Sequence, residues 1–336
     1  MKKNYPDPNQ RIGLITDEGA DLTSEIIEKH QIAIVPLKVI WPPEIENLPG
    51  ETIFHKMREA DKKGLKIFCQ TSQPSPKDFL DIFKKELEKF EKIICITITS
   101  KLSGTYNSAI QAKNFLNQEK KERIFVVDSL NASCGMGLLV LRAIDLIKEL
   151  KEDKSSSCAE FSRSESESRK EHKVLFDSLT NAREEKEMEK IVKELEDLRQ
   201  KIQLRAFLQD PKWLEHSGRI SKTIASWIRR MAKMGVRPLI GIKEGTVKAV
   251  GIKTGVRDVS EALFQELEGK TKKARKEGQP LKIAIIHCLN PEGAQKLKEI
   301  IEKRLPNSQI AFVNLIDRVV GSIVGLGVVG LAWHEL

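Results

Sequence analysis

Aromatic residues are scarce in this 336-residue chain, 5% in all with only two tyrosines. The formal charge is +9, yet no basic block is interleaved with aromatic side chains. The lysines alternate with glutamates in stretches such as KKELEKFEK and KLKEIIEKR, the pattern of a solvated helix face. Nucleic acid is therefore a poor fit as a partner, and transient contact with a membrane surface is the remaining use for the charge. Long apolar runs are also missing. The longest, Val319 to Trp333, is broken by glycines and falls short of the roughly 20 residues of a spanning helix; it reads as buried strand and turn. The first residues, MKKNYPDPNQR, carry no apolar signal core. None of the five cysteines (Cys69, Cys95, Cys134, Cys158, Cys288) forms a C-x-x-C pair. A scattered, odd set fits a reducing cytosol, so the expected location is cytoplasmic. P-loop, H-E-x-x-H and Cys/His metal spacings are lacking, and no cofactor is expected.

What is present is a soluble globular composition, 40% hydrophobic and 31% charged. The most informative stretch runs from Ile93 to Leu116. Ile93 to Ile98 is an apolar, β-branched run that reads as a buried strand. Ser100 to Thr105 is a small, hydroxyl-rich turn, and helical spacing follows from Tyr106. A strand that enters a helix through such a turn gathers backbone N–H groups, hydroxyls and the positive end of a helix dipole at one point. That suits an anion; equally, Ser103 and Thr105 suit a simple helix cap.

The same alternation extends along the first half. Strands are expected at Ile12–Ile15, Ile32–Ile40, Lys66–Cys69 and Ile124–Val127. Helices are expected at Leu22–His30, Ile53–Lys62, Asp78–Phe90 (opened by Pro76) and Ser133–Glu149. This predicts a mostly parallel sheet with flanking helices, whose ligands bind beyond the carboxyl ends of the strands. Four small polar clusters fall there: Thr16-Asp17, Thr71-Ser72, Ser103-Gly104-Thr105 and Asp128-Ser129. A shared pocket is the natural reading. The stretch 151–188 is charged and serine-rich and reads as a mobile insert or linker. Helical spacing returns over Glu189–Leu208, and a second unit with the order β, β, α, β, α, β follows. The expected fold class is α/β: an N-terminal unit over 1–150, the insert over 151–188, and a helical connection with a C-terminal α+β unit over 189–336.

Two catalytic patterns need weighing. Gly325-Leu326-Gly327-Val328-Val329-Gly330 satisfies G-x-G-x-x-G but lacks the following strand and acid of a dinucleotide fold. Asn131-Ala132-Ser133-Cys134-Gly135 is one residue from a nucleophile elbow in a strand–turn–helix setting. A serine acyl hydrolase using Ser133 is thus an alternative function, with His216, His287 and His334 as available bases.

Taken in order, the motifs resemble the DegV family of bacterial fatty-acid-binding proteins. The matching pieces are Thr16-Asp17, Pro36-Leu37, Thr71-Ser72-Gln73-Pro74-Ser75-Pro76, Leu102-Ser103-Gly104-Thr105-Tyr106, Asp128-Ser129, Gly218-Arg219-Ile220-Ser221 and Gly325-x-Gly327. The resemblance implies a non-enzymatic carrier with two domains and a long-chain fatty acid between them, presented to a separate fatty-acid kinase that makes acyl phosphate. It puts the carboxylate on Thr71 and Ser103, with Ser72, Gly104, Thr105, Asp128, Ser129 and Arg219 as secondary site residues. Three departures from the family pattern stand out. Ile323 occupies the place of a C-terminal histidine, Ser217 that of a glycine before Arg219, and Glu18 that of a serine, where it puts negative charge near the expected carboxylate.

Overall fold

A computed structural model describes the backbone of residues 11–158 and 171–336, and the side chains of those residues outside 151–184. Its twelve strands form two main sheets and one small one. The first sheet holds β1 (Ile12–Asp17), β2 (Ala33–Val35), β5 (Lys92–Thr97) and β6 (Ile124–Asp128) in the order β2-β1-β5-β6. All its pairings are parallel. β3 (Lys38–Ile40) and β4 (Gln70–Ser72) form a separate antiparallel pair. The second sheet holds β7 (Gln203–Phe207), β8 (Val236–Lys243), β9 (Thr246–Thr254), β10 (Leu281–His287), β11 (Ser308–Leu315) and β12 (Val329–Glu335). Its order is β11-β10-β12-β7-β8-β9. Only β10 and β11 pair in parallel.

Strand alternation explains how these pieces stack, because successive side chains leave a strand on opposite faces. In β5, Ile93 and Cys95 join one core while Ile94 and Ile96 join another. The outer core is filled by Phe79 and Phe83 from the helix Pro76–Leu87 and by Ala109 and Ala112 from the helix Thr105–Asn114. In β10, Ile283 and Ile285 face the helices Val259–Lys270 and Pro291–Arg304, while Ala284 and Ile286 face back towards the first sheet. The helix Ser133–Cys158 lies between the sheets: Met136, Leu139, Val140, Ala143 and Ile147 share one core with Leu14 and Ile94 of the first sheet and Ala284 and Ala332 of the second. The result is helices, sheet, central helix, sheet, helices, with a continuous apolar layer in the middle. Lys282 of β10 also reaches Asp145 of the central helix at 2.6 Å.

Local boundaries differ from expectation in four places. Ile32–Ile40 is divided into β2 and β3, each in a different sheet. Lys66–Cys69 is not a strand of the parallel sheet; the chain pairs only from Gln70, with β3. The helix expected to run to Leu208 ends at Lys201, and Gln203–Phe207 pairs instead with β8 and β12. Part of Val319–Trp333 is a helix, Arg318–Val324, whose first N–H groups bond to the Asp317 carboxylate. The proposed insert lies partly outside the described residues. Of the rest, the central helix continues to Cys158 and a second long helix spans Glu171–Lys201.

Candidate functional site

A cavity of about 250 Å³ opens between the two sheets. It is larger than the roughly 150 Å³ apolar cavity that takes up a benzene molecule. Its walls are aliphatic. Ile316, Val319, Val320, Ile323 and Val324 come from the helix Arg318–Val324 and the turn before it. Leu204, Ala206, Ile240, Ile242, Val247, Ile286 and Gly330 come from the second sheet, and Leu37, Ile98 and Leu102 from the first half of the chain. Polar groups gather in one part of the lining: Thr71, Ser72, Gln73, Ser103, Gly104 and Arg219.

These polar residues are far apart in sequence and are joined by specific contacts. The Arg219 guanidinium donates to the Thr71 hydroxyl at 3.2 Å across 148 residues of chain. A Cβ on Gly104 would stand 2.5 Å from Gln73 Nε2, so the Ser103 turn and the Thr71 run approach closely only because residue 104 is glycine. Ser103 Oγ lies 2.8 Å from Thr105 Oγ1 and accepts from the Thr105 N–H. The helix Thr105–Asn114 starts at this point with no side-chain cap from Gly104. Arg219 is half-buried, and among the described residues it has no carboxylate partner. Burial holds its pKa below the usual value for arginine.

Other expected site residues brace this arrangement instead of lining it. The Asp128 carboxylate accepts from the N–H groups of Ser100 and Leu130. Ser129 Oγ donates to the Asn131 carbonyl. Thr16 Oγ1 donates to the Ile96 carbonyl, and Asp17 accepts from the N–H groups of Gly19 and Ile98. Thr105 is fully buried behind Ser103. Each polar cluster at a strand end thus fixes the loop that carries Ile98, Leu102 and Ser103; only Thr71-Ser72 and Ser103-Gly104 reach the cavity. Glu18 is engaged locally, accepting from the Leu37 N–H at 2.8 Å. Ile323 contributes wall surface, and Ser217 bonds to the Leu214 carbonyl.

Ser133 does line the cavity, with a left-handed backbone (φ 54°). Its hydroxyl donates to the buried carboxyl of Asp21, and no described histidine bonds to it. Ser133 is therefore tied to an acid, and among the described residues no histidine bonds to it as an activating base. Asp21 is not among the site residues expected from the sequence. It holds the Asp317 N–H at 2.6 Å, and its carbonyl accepts from Asn314 Nδ2. It thereby fastens the cavity-lining helix Arg318–Val324 to the first sheet. Among the described residues no group of three or more His, Cys, Asp or Glu is placed to hold a metal ion, and no helix is long and apolar enough to cross a membrane.

Burial raises the carboxyls of Asp17 to about 7 and Asp317 to about 6, and lifts Asp21 well above its ordinary value, where the nearby Asp317 charge adds to the effect. The folded chain therefore holds protons that the unfolded chain releases near pH 4. This contribution to stability is complete below about pH 4 and is lost as pH rises through 6 to 7. Replacing Asp317 by Asn keeps an acceptor for the helix cap and removes one titrating group. Urea unfolding at a series of pH values is expected to show a shallower loss of stability with rising pH for Asp317→Asn than for the natural chain. Parallel pH profiles for the two would refute the assignment.

Known proteins bear on this site. A model of the DegV family, described as an uncharacterised protein family, matches residues 11–180 and 175–336. A fatty acid-binding protein of Thermotoga maritima is 25% identical over 335 residues, covering 97% of this chain and 98% of its own. A Thermus thermophilus DegV family protein, described for its fatty acid binding, superposes with a TM-score of 0.71 at 26% identity, over 97% of this chain and 100% of that one. The Streptococcus pneumoniae Fatty Acid Kinase B3 protein, loaded with linoleic acid, superposes with a TM-score of 0.66 at 21% identity, over 96% and 99% of the two chains. At that identity it speaks to the fold alone.

Proposed function

The chain belongs to the DegV family, and from that premise we propose that it carries one long-chain fatty acid in the cavity between its sheets. The observation that carries this reading is Arg219: a half-buried guanidinium without a carboxylate partner among the described residues, bonded to Thr71 on the lining of an aliphatic cavity. That combination fits an amphiphile with a single anionic head. The carboxylate would take hydrogen bonds from Thr71 and Ser103, with the Arg219 charge beside them; charge-assisted bonds of this kind are short and strong. The acyl chain would lie along the valine, leucine and isoleucine walls, each buried methylene contributing about 0.8 kcal/mol. Relatives named for fatty acid binding support the ligand class.

The protein acts, in this reading, as a cytoplasmic carrier and not as an enzyme. Ser133 is held by Asp21 and is not poised beside a base. Presentation of the head group to a fatty-acid kinase is the further step. The polar residues support it, since Thr71, bonded to Arg219, and Ser103 place donors on the lining of a mostly aliphatic cavity. Ile323 leaves the chain without an imidazole at that wall position, so any phosphoryl transfer would depend on the kinase's own groups.

Native mass spectrometry of the purified protein tests the proposal. One fatty acid per chain, released on denaturation, is the expected result and gives its length directly. A ligand-free mass that stays unchanged after incubation with mixed fatty acids would overturn the carrier reading. An esterase signal abolished by Ser133→Ala would favour the hydrolase in its place.

A further inference from the structure

A second cleft, of about 630 Å³, is lined in part by Leu326 and Gly327 and shares only Leu208 with the acyl cavity. Its polar lining comes from three regions: Arg58, Asp61 and Lys62 from the helix Ile53–Lys62, Arg237 from β8, and Gln209, Asn290 and Gly327 from loops beside β7, β10 and β12. We propose that this cleft binds a phosphoryl group, with Arg58 and Arg237 as its ligands.

The charges in the cleft point to an anion. Arg58 donates through Nη2 to the Leu289 carbonyl at 3.1 Å. Arg237 is exposed and has no ion pair or side-chain hydrogen bond among the described residues. Among the described residues neither guanidinium meets a carboxylate. Of the carboxylates nearby, Asp61 shares Lys212 with Asp210, Glu59 pairs with Lys62 at 2.7 Å, and Asp258 pairs with Lys296. Arg58 and Arg237 are the two cations of the lining without an ion pair among the described residues. The helix Val259–Lys270 also begins at this surface, and the helix Pro291–Arg304 begins beside it, where its cap Asn290 bonds to the Gly327 carbonyl at 3.2 Å. Both helix ends are already capped, by the Asp258 carboxylate and the Asn290 side chain, so the charge available to a ligand is that of the arginines.

A phosphoryl group fits better than a carboxylate. It carries close to two negative charges and three acceptor oxygens, and a guanidinium fork meets phosphate oxygens in pairs. The cleft has room for an organic group beyond the phosphoryl, so inorganic phosphate and a phosphomonoester are both candidates of the same chemistry. Arg58 and Arg237 lie on opposite halves of the chain, so the ligand would bridge them. This site is independent of the fatty-acid proposal, because neither arginine lines the acyl cavity.

Isothermal titration of the whole protein with inorganic phosphate, and separately with glycerol 3-phosphate, tests it. Saturable one-site binding is expected for at least one of them. Tighter binding of the ester would mark an organic phosphate as the ligand, and equal binding phosphate itself. Arg58→Gln with Arg237→Gln is expected to weaken the constant by about tenfold or more. Lys84→Gln with Lys85→Gln, which removes the same charge from the helix Pro76–Leu87, should leave it unchanged. Arg58→Lys with Arg237→Lys keeps the charge but loses the fork, and should weaken binding even if the glutamine variant fails to fold. No saturable heat with either probe, or equal weakening by the two charge-removing pairs, overturns the proposal.

Discussion

Gly330→Val is expected to exclude the longest fatty acids while leaving shorter ones bound. The reason is a row across the second sheet. Ile286 of β10 pairs with Gly330 of β12, Gly330 with Ala206 of β7, and Ala206 with Ile240 of β8. All four residues line the cavity. The two central positions are the smallest available, so the sheet has a trough between two isoleucines. A Cβ at position 330 would stand 3.0 Å from Ile286 Cδ1, 3.2 Å from the Ala206 Cβ and 3.2 Å from the Arg205 carbonyl oxygen. Ile286 can yield at its side-chain end and valine is well suited to a strand, while β7 must give slightly at Arg205, so the variant is expected to fold with some loss of stability. The volume lost is that of two or three methylenes, worth about 2 kcal/mol or roughly thirtyfold in affinity for chains that need the trough. Titration of a homologous series of saturated fatty acids would show a cut-off moving to shorter chains. A uniform loss across the series would mean that Gly330 serves folding and not ligand length, and no change would place the acyl chain elsewhere.

Parts of this arrangement were legible in the sequence and parts were not, for physical reasons that differ by element. The Ile93–Ile98 strand was plain because a strand of a parallel sheet is covered on both faces and reads as one apolar run. The helix opened by Pro76 was plain because its signal is local: Ser75 and Asp78 cap each other's backbone. β7 was hidden. Ile202 closes the helical series Ile191, Leu195, Leu198, while Ile202, Leu204 and Ala206 alternate as a strand does, so the two patterns overlap and pairing with β8 and β12 decides between them. The helix Arg318–Val324 was hidden for a similar reason: its valines, isoleucine and glycine disfavour helix, and the Asp317 cap with its anchor on Asp21 overrides them. In the site, the four polar clusters were visible, but not which two would reach the cavity. Thr105 is the same residue type as Thr71 but is fully buried behind Ser103, and the Asp128 carboxylate is already used by the N–H groups of Ser100 and Leu130. Arg219 is the converse. Its motif was visible, yet its role depends on a contact across 148 residues, which no local pattern encodes.

Thr71→Ala with Ser103→Ala is expected to lower fatty-acid affinity by about a hundredfold or more while leaving thermal stability nearly unchanged. Each hydroxyl would donate to a carboxylate out of bulk water, and a hydrogen bond to a charged group contributes about 1.5–3 kcal/mol. Two such losses together amount to at least about 3 kcal/mol, or roughly two orders of magnitude. The folded state should tolerate the change. Thr71 sits at a strand of a two-stranded pair where its backbone, not its hydroxyl, makes the register with Val39. Ser103 loses only its contact with Thr105, whose hydroxyl remains. Removing the Thr71 hydroxyl also frees Arg219 from its one described side-chain partner. If Arg219 alone held the head group, that freedom would compensate and the double variant would bind almost as well as the natural chain. A double variant of full affinity would therefore move the carboxylate onto Arg219. Loss of affinity in both the double variant and Arg219→Gln would place the head group among all three. If stability fell along with affinity, the hydroxyls would be structural, and the head-group assignment would fail.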